Sequence, residues 1–264
     1  MLNILCCIKQ VPDVDQVKMD PETGSLIRAG VPAILNPLDA NALEAALQVK
    51  ERYGGTICCV TMGPEQAAEA LRECLAAGAD KAVLLSDRAF ANADTLATSY
   101  VIYMAAKNLG KFDLVFCGKE SLDGATGQMA AQLAERFDAG LLSSVLKIQD
   151  LDEEGGCITA IRELENGKEV AQALLPCLIT VEKQNFRPKL PSLKSWIASR
   201  RAEILQLDSG GIPGLDFRRI GDPGSPTKVP RIYPPKLGER GIMIDCGNMK
   251  ENLDQLMDVL AQVL

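Results

Sequence analysis

The chain has 264 residues, a net charge of −7 and no histidine. That excludes imidazole bases, Ser-His-Asp and Cys-His arrangements, and His-ligated metals. Aromatic residues make up only 4%, a poor supply of stacking platforms for a single-stranded nucleic acid.

The length allows one large domain, or a core domain plus a smaller piece, with no need of staples. Four apolar runs stand out in order: LNILCCI (2–8), GTICCVTM (55–62), KAVLLS (81–86) and DLVFCG (113–118). Continuous rather than alternating runs indicate strands buried on both faces. The first run lacks a charged segment before it and reads as a strand, not a signal peptide. No apolar run nears the roughly 18 residues that span a bilayer. A cytoplasmic protein with no membrane or nucleic-acid partner is expected.

Helical patterns fill the gaps. Residues 40–52 set Leu43 and Leu47 one turn apart, and residues 65–77 align Ala67, Leu71, Cys74 and Leu75. Residues 95–109 and 127–137 behave similarly. This alternation predicts an α/β fold with a doubly wound, mostly parallel sheet. Residues 10–35, with a Pro-Glu-Thr-Gly turn, predict a hairpin-like excursion before the first helix. Beyond residue 140, segments 156–164 and 168–182 flank Glu165-Asn166-Gly167. Asn-Gly between apolar runs predicts an antiparallel hairpin added to the sheet edge.

Residues 183–201 hold six basic residues, no acidic one, and the sole tryptophan, Trp196. Residues 208–241 are rich in Gly and Pro and suit an extended arm better than a core. An amphipathic helix over 249–263 carries Leu253, Leu256, Met257, Leu260 and Val263. The expected division is 1–205, an α/β domain, and 206–264, an arm and helix.

The nine cysteines are Cys6, Cys7, Cys58, Cys59, Cys74, Cys117, Cys157, Cys177 and Cys246. Their number is odd and no C-x-x-C occurs, so no zinc or iron–sulfur site is spelled out. Five lie in the strand-like runs and read as small core residues of a reduced protein.

In a doubly wound sheet, ligands bind beyond the carboxyl ends of the strands, against helix N-termini. At Asn36-Pro37-Leu38-Asp39, Asn36 suits an N-cap and Pro37 the first helical position, and capping alone would explain the motif. Met62-Gly63-Pro64 either lets backbone approach a ligand or only makes a tight turn. After Asp87-Arg88-Ala89-Phe90, Asp94 and Thr95 could cap a helix. With Thr98, they could instead meet ribityl hydroxyls or phosphate oxygens. Arg88 could face a phosphate or only Asp87. The segment Gly118 to Gln128, with Asp123, Gly124, Ala125 and Thr126, is the most informative: a Gly- and Thr-bearing loop opening a helix. It matches neither G-x-G-x-x-G nor the Walker A pattern. The basic stretch reads either as a solvated loop or as a docking surface. In the second case Phe186 and Trp196 are the apolar anchors, and Arg187, Lys189 and Lys194 supply the charge.

These segments together resemble the β subunit of electron-transfer flavoproteins. They include CIKQVPD (7–13), D-x-x-T-G (20–24), NP-x-D-x-NALEAAL (36–47), MGP (62–64) and L-x-AGADKAVLLSDRAF (75–90). ADTLATS (93–99), LVFCGKESLDGATGQ (114–128), IRELENGKE (161–169), LP-x-LITVE (175–182) and RPKLPSLKSWIASRR (187–201) follow. The resemblance covers almost the whole chain. It implies a heterodimer with a larger α subunit, on which the C-terminal arm packs, and an adenine nucleotide at the edge of the β-chain sheet. In simple members that nucleotide is structural AMP. In electron-bifurcating members it is a second FAD that takes a hydride from NADH.

The NP-x-D-x-NALE and SDRAF…ADTLATS segments look like the FAD-binding branch. So does the compact LDGATGQ loop, which lacks a longer acidic and polar insertion. That branch implies one electron for a ferredoxin- or flavodoxin-type acceptor. The other passes through the α-subunit FAD to a partner acyl-CoA or hydroxy-acid dehydrogenase. The resemblance implies a cofactor site of Cys7, Asn36, Asp39, Met62, Arg88, Asp94, Thr95, Thr98, Asp123, Gly124, Ala125, Thr126 and Gln128. Within it, Gly124, Thr126 and Gln128 would meet the pyrophosphate, and Cys7, Asn36 and Asp39 would lie near the adenosine. Arg88, Asp94, Thr95 and Thr98 would lie near the ribityl or flavin side. No catalytic side chain or metal is implied. Where family members commonly read N-E-P-R-Y in the dehydrogenase-contacting loop, this chain has Asn185-Phe186-Arg187-Pro188-Lys189, so the loop does not identify the partner. An AMP-binding electron shuttle and a stand-alone nucleotide-binding regulatory domain are the alternative readings. The long arm and terminal helix, which need a partner surface, argue against the second.

Overall fold

The four continuous apolar runs form the middle of one nine-stranded sheet. A computed structural model describes residues 1–13, 18–19, 26–27, 32–182, 185–228, 243–245 and 247–263. The Pro-Glu-Thr-Gly turn at 21–24, Lys183, residues 229–242 and Cys246 lie outside the described residues.

The chain opens with β1 (Asn3–Cys7), then β2 (Gln10–Pro12), β3 (Lys18–Met19), β4 (Leu26–Ile27) and β5 (Ala33–Leu35). The pairs β2–β5 and β3–β4 are antiparallel, so the excursion is hairpin-like as expected. Next come α1 (Pro37–Tyr53), β6 (Thr56–Met62), α2 (Ala68–Ala77), β7 (Lys81–Leu85) and α3 (Thr95–Leu109). Then follow β8 (Leu114–Gly118), α4 (Met129–Phe137), β9 (Gly140–Asp152), β10 (Cys157–Leu164), β11 (Gly167–Leu174) and β12 (Cys177–Val181). The last elements are α5 (Leu193–Arg201), β13 (Leu205–Leu207) and α6 (Met249–Val263). The sheet order is β11-β10-β9-β12-β8-β1-β6-β7-β13. From β9 to β13 neighbouring strands are parallel, and β10 and β11 add an antiparallel hairpin.

Side chains alternate across each strand, so every central strand feeds two cores. Ile4, Cys6, Ile57, Cys59 and Phe116 pack with Leu43, Val49 and Leu71 of α1 and α2. Leu5, Cys7, Val60 and Val115 pack with Val101, Ala105 and Leu133 of α3 and α4. The eight described cysteines are free, and all but Cys157 are buried. Cys6, Cys59 and Cys74 form a chain of thiols, and hydrogen bonding within it together with burial pushes Cys59 and Cys74 well above the usual thiol range.

Two sequence expectations need correction. Residues 168–182 are not one strand: β11 closes the hairpin, whereas β12 runs inside the sheet between β8 and β9. All five residues of Cys177–Val181 are buried, and a strand apolar on both faces needs neighbours on both sides. The segment after residue 207 also does not leave the domain at once. Strand β13 extends the sheet beside β7, and Ile212 and Ile220 are buried in the α3/α4 core. No described helix is long and apolar enough to cross a membrane.

Candidate functional site

Chain order runs outward from β1 through β6 to β7, then returns to β8 on the other side of β1. The crevice beyond the carboxyl ends of β1 and β8 is therefore the topological switch point, where doubly wound sheets bind ligands. Cys7 and Cys117 stand in register as its floor.

Asp39 spans this crevice from the first turn of α1. One carboxylate oxygen accepts the backbone N–H of Lys9 at 2.8 Å, and the other accepts that of Gly118 at 2.9 Å. Gly118 is required by this approach, because an added Cβ would lie on Asp39 Oδ1 and 2.8 Å from the Leu38 carbonyl carbon. Burial pushes the Asp39 carboxyl up to about 7, against the hydrogen bonds from Lys9, Asn36 and Gly118.

Asn36 does not cap α1 with its side chain. Its backbone carbonyl takes the first helical N–H groups, including that of Asp39 at 2.9 Å. The fully buried amide instead holds the next loop: it donates to Glu120 O at 3.0 Å and accepts Leu122 N–H at 3.3 Å. Asn36 and Asp39 thus shape the site through the backbone they grip.

Lys9 continues the brace, reaching Asp123 at 2.7 Å and Ser121 Oγ at 3.4 Å. Burial raises Asp123, but the hydrogen bonds from Lys9 and Ser121 outweigh it and hold the carboxyl below its usual range. Residues 122–128 are exposed. Ala125 is left-handed at φ 45, and its N–H is donated to Ser121 O at 2.8 Å. Gln128 precedes α4 without a side-chain cap, and the first N–H groups of a helix have no intrahelical partner.

The N-terminus of α3 meets that of α4. Thr95 Oγ1 donates to Gln128 Oε1 at 2.9 Å and accepts from Gln132 Nε2 at 3.1 Å. Gln132 Oε1 is buried and has no partner among the described residues. Asp94 does cap α3, accepting Ala97 N–H at 3.0 Å, and its second oxygen accepts Thr227 N–H at 2.9 Å. Thr98 lies half-buried one turn on. Arg88 is exposed, and Met62 packs half-buried against the α3/α4 core. Neither bonds to the loop among the described residues. Lys9 and Gln132 were not singled out from sequence. A lysine directly after a strand and a glutamine four residues after Gln128 were their signals.

The basic segment folds back on the domain. Phe186, expected as an exposed anchor, is buried in the α1/α2 core, and Asn41 Nδ2 donates to its carbonyl. Lys189 turns to Glu44 and Glu51, at 3.8 and 3.7 Å. Trp196 is half exposed and lies under Arg200. Leu190, Leu193 and Ile197 extend its exposed apolar surface, beside a groove of about 460 Å³ against α1 and α2. Arg187 and Lys194 are exposed.

The sequence matches the Electron transfer flavoprotein domain over residues 23–209. The chain belongs to the electron-transfer flavoprotein family. It is 42% identical to the electron transfer flavoprotein subunit beta of Thermoanaerobacterium thermosaccharolyticum, over 98% of each chain. It is also 42% identical to the caffeyl-CoA reductase-Etf complex subunit CarD of Acetobacterium woodii, over 99% of this chain and 98% of the relative. Identity to Protein FixA of Bradyrhizobium diazoefficiens is 41%, over 93% of this chain and 86% of the relative. Membership in this β-subunit family makes electron transfer the function and implies an α-subunit partner.

Proposed function

We propose that the chain is the β subunit of an electron-bifurcating flavoprotein and that FAD binds in the β1/β8 crevice. The supporting observation is the meeting of two helix N-termini at Thr95 and Gln128, beside an exposed loop. There the buried acceptor Gln132 Oε1 lacks a donor among the described residues. The residues fit a flavin dinucleotide: helix-start N–H groups for the diphosphate, and an unsatisfied acceptor for a ribityl hydroxyl or a ring N–H. FAD there would supply a hydride acceptor for NADH and divide the electron pair between a ferredoxin- or flavodoxin-type acceptor and the α-subunit FAD.

The chain's own residues bind and orient. Gly124, Thr126 and Gln128 face the diphosphate, with Asp123 and Ala125 shaping the loop between them. Asn36 and Asp39 fix that loop and the strand ends beneath it. Thr95, Thr98, Asp94 and Arg88 border the ribityl and flavin side, and Cys7 and Met62 give apolar floor and wall. Direct hydride transfer needs no protein base, in keeping with a chain that lacks histidine.

Helix α6 packs on the α subunit. In α6, Leu253, Leu256, Met257 and Leu260 are exposed at helical spacing, a stripe that needs a covering surface. The exposed Leu190, Leu193 and Trp196 receive a partner dehydrogenase. The name of the Acetobacterium relative favours an enzyme acting on a CoA ester.

Counting FAD in the purified αβ complex tests this. Two FAD per heterodimer are expected. One FAD with one AMP would make the protein a simple shuttle with a structural nucleotide.

A further inference from the structure

A second cationic hollow, of about 310 Å³, lies between α3, the last turn of α4 and the turn at 217–226. None of the residues assigned to the crevice lines it. Its floor is Tyr100, which is buried.

Two guanidinium groups stand around the Tyr100 ring, Arg219 at 4.2 Å and Arg136 at 5.4 Å from its centroid. Arg136 is held in place, with Nε donating to Ser99 Oγ at 3.0 Å and Nη2 to Leu96 O at 2.9 Å. Burial and the neighbouring Arg219 charge both push the Arg136 pKa down, and the Arg219 charge also helps hold the Asp216 carboxyl low. Of the two carboxylates three residues from Arg219, Arg218 engages Asp216 at 3.1 Å and Lys228 engages Asp222 at 3.0 Å. Among the described residues, neither Arg136 nor Arg219 has an ion-pair partner.

The turn carrying Arg219 is fixed independently. Tyr100 Oη accepts the Asp216 N–H at 3.0 Å. Ser225 Oγ donates to Gly221 O at 2.6 Å and accepts the Asp94 N–H at 2.8 Å. Gly221 has φ +54 and packs so closely on Ala89 O that no Cβ fits.

A guanidinium carries five donors. Arg136 spends two on the protein, and Arg219 spends none on the described residues. Free forked donors on two neighbouring arginines recognise anionic oxygens in pairs. The arginines flank a ring, so a group with two linked phosphates spans them better than a single phosphate. We propose that this hollow binds a diphosphate, free or carried by a nucleotide, between Arg136 and Arg219, at a site separate from the crevice.

Calorimetric titration of the αβ complex with sodium pyrophosphate, at constant ionic strength, tests this. Saturable binding is expected, at least tenfold weaker in Arg219→Gln. Arg136→Lys, which keeps the charge but loses the fork, should also weaken it. Unchanged melting of the ligand-free variants would show that the fold is retained. A parallel titration with ADP separates the sources. Weakening of both probes by Arg219→Gln points to a nucleotide, and weakening of pyrophosphate alone points to the free anion. No saturable pyrophosphate binding, or equal affinity in wild type and both variants, overturns the proposal.

Discussion

The Asp39 carboxylate and the Gly118 N–H, 79 residues apart in sequence, meet at 2.9 Å. Since the other carboxylate oxygen takes the Lys9 N–H, one side chain on α1 ties the ends of β1 and β8 together at the mouth of the crevice. Removing it leaves two N–H groups with no acceptor. Asp39→Ala should therefore cost about 2–4 kcal/mol, read as a lower urea midpoint at unchanged slope. A loss below 0.5 kcal/mol, on the order of an ordinary surface change, would show that water replaces the carboxylate freely.

The same residue predicts a pH dependence. Burial raises its folded-state pKa from 3.8 to about 7, so the folded protein binds this proton more tightly than the unfolded chain. The resulting stabilisation is fully present below the unfolded value. It is lost as pH rises through the folded one, and levels off above it. Asp39→Asn removes the titration. The melting temperature of wild type minus that of Asp39→Asn should fall between about pH 4 and pH 7 and flatten beyond. Parallel curves across that window would mean the carboxyl is not raised.

Gly118→Ala probes the approach from the strand side. The new Cβ would meet Asp39 Oδ1 and the backbone of Leu38 and Asp39, atoms of a helix start that has little room to shift. A destabilisation of roughly 1–3 kcal/mol is expected from overpacking, with lower flavin content in the purified complex. Full flavin content with wild-type stability would show that α1 moves aside.

Much of this architecture was legible in sequence, and the exceptions have physical causes. Runs such as ICCV and LVFC mark strands buried on both faces, and Pro37 and Asp94 mark helix starts. Strand β9 was not foreseen, because GLLSSVLKIQDLD mixes polar residues into a half-exposed pattern. Phe186 and Lys189 read as a docking surface from composition. The Phe186 carbonyl is held by the amide of Asn41, 145 residues away in sequence, and Lys189 is drawn to Glu44 at the same distance along the chain. At the candidate site, the residue types of the loop were visible. The division of labour was not, since it depends on which backbone groups Asn36 and Asp39 reach.

The cysteines give a chemical check on the fold. Seven of the eight described ones are buried, and Cys157 is half-buried at the hairpin edge. Burial also raises Cys58 to about 11 and Cys177 to about 12, suppressing the reactive thiolate. Brief alkylation of the native protein, mapped by mass spectrometry, should modify Cys157 well ahead of the other seven. Early modification of Cys6, Cys59 or Cys74 would contradict the packing of the α1/α2 face.

Thr126 separates stability from nucleotide binding. It is exposed in the loop and makes no hydrogen bond among the described residues, so Thr126→Glu should change folding stability by no more than about 0.5 kcal/mol. If the diphosphate lies on this loop as proposed, a carboxylate there would face it across the α4 N-terminus, and like charges in a partly desolvated site repel strongly. Flavin bound per β chain after gel filtration should fall well below the wild-type level while the melting temperature of the nucleotide-free protein holds. If flavin content is unchanged, the diphosphate does not lie on this loop. If stability falls as well, Thr126 supports the fold rather than the ligand.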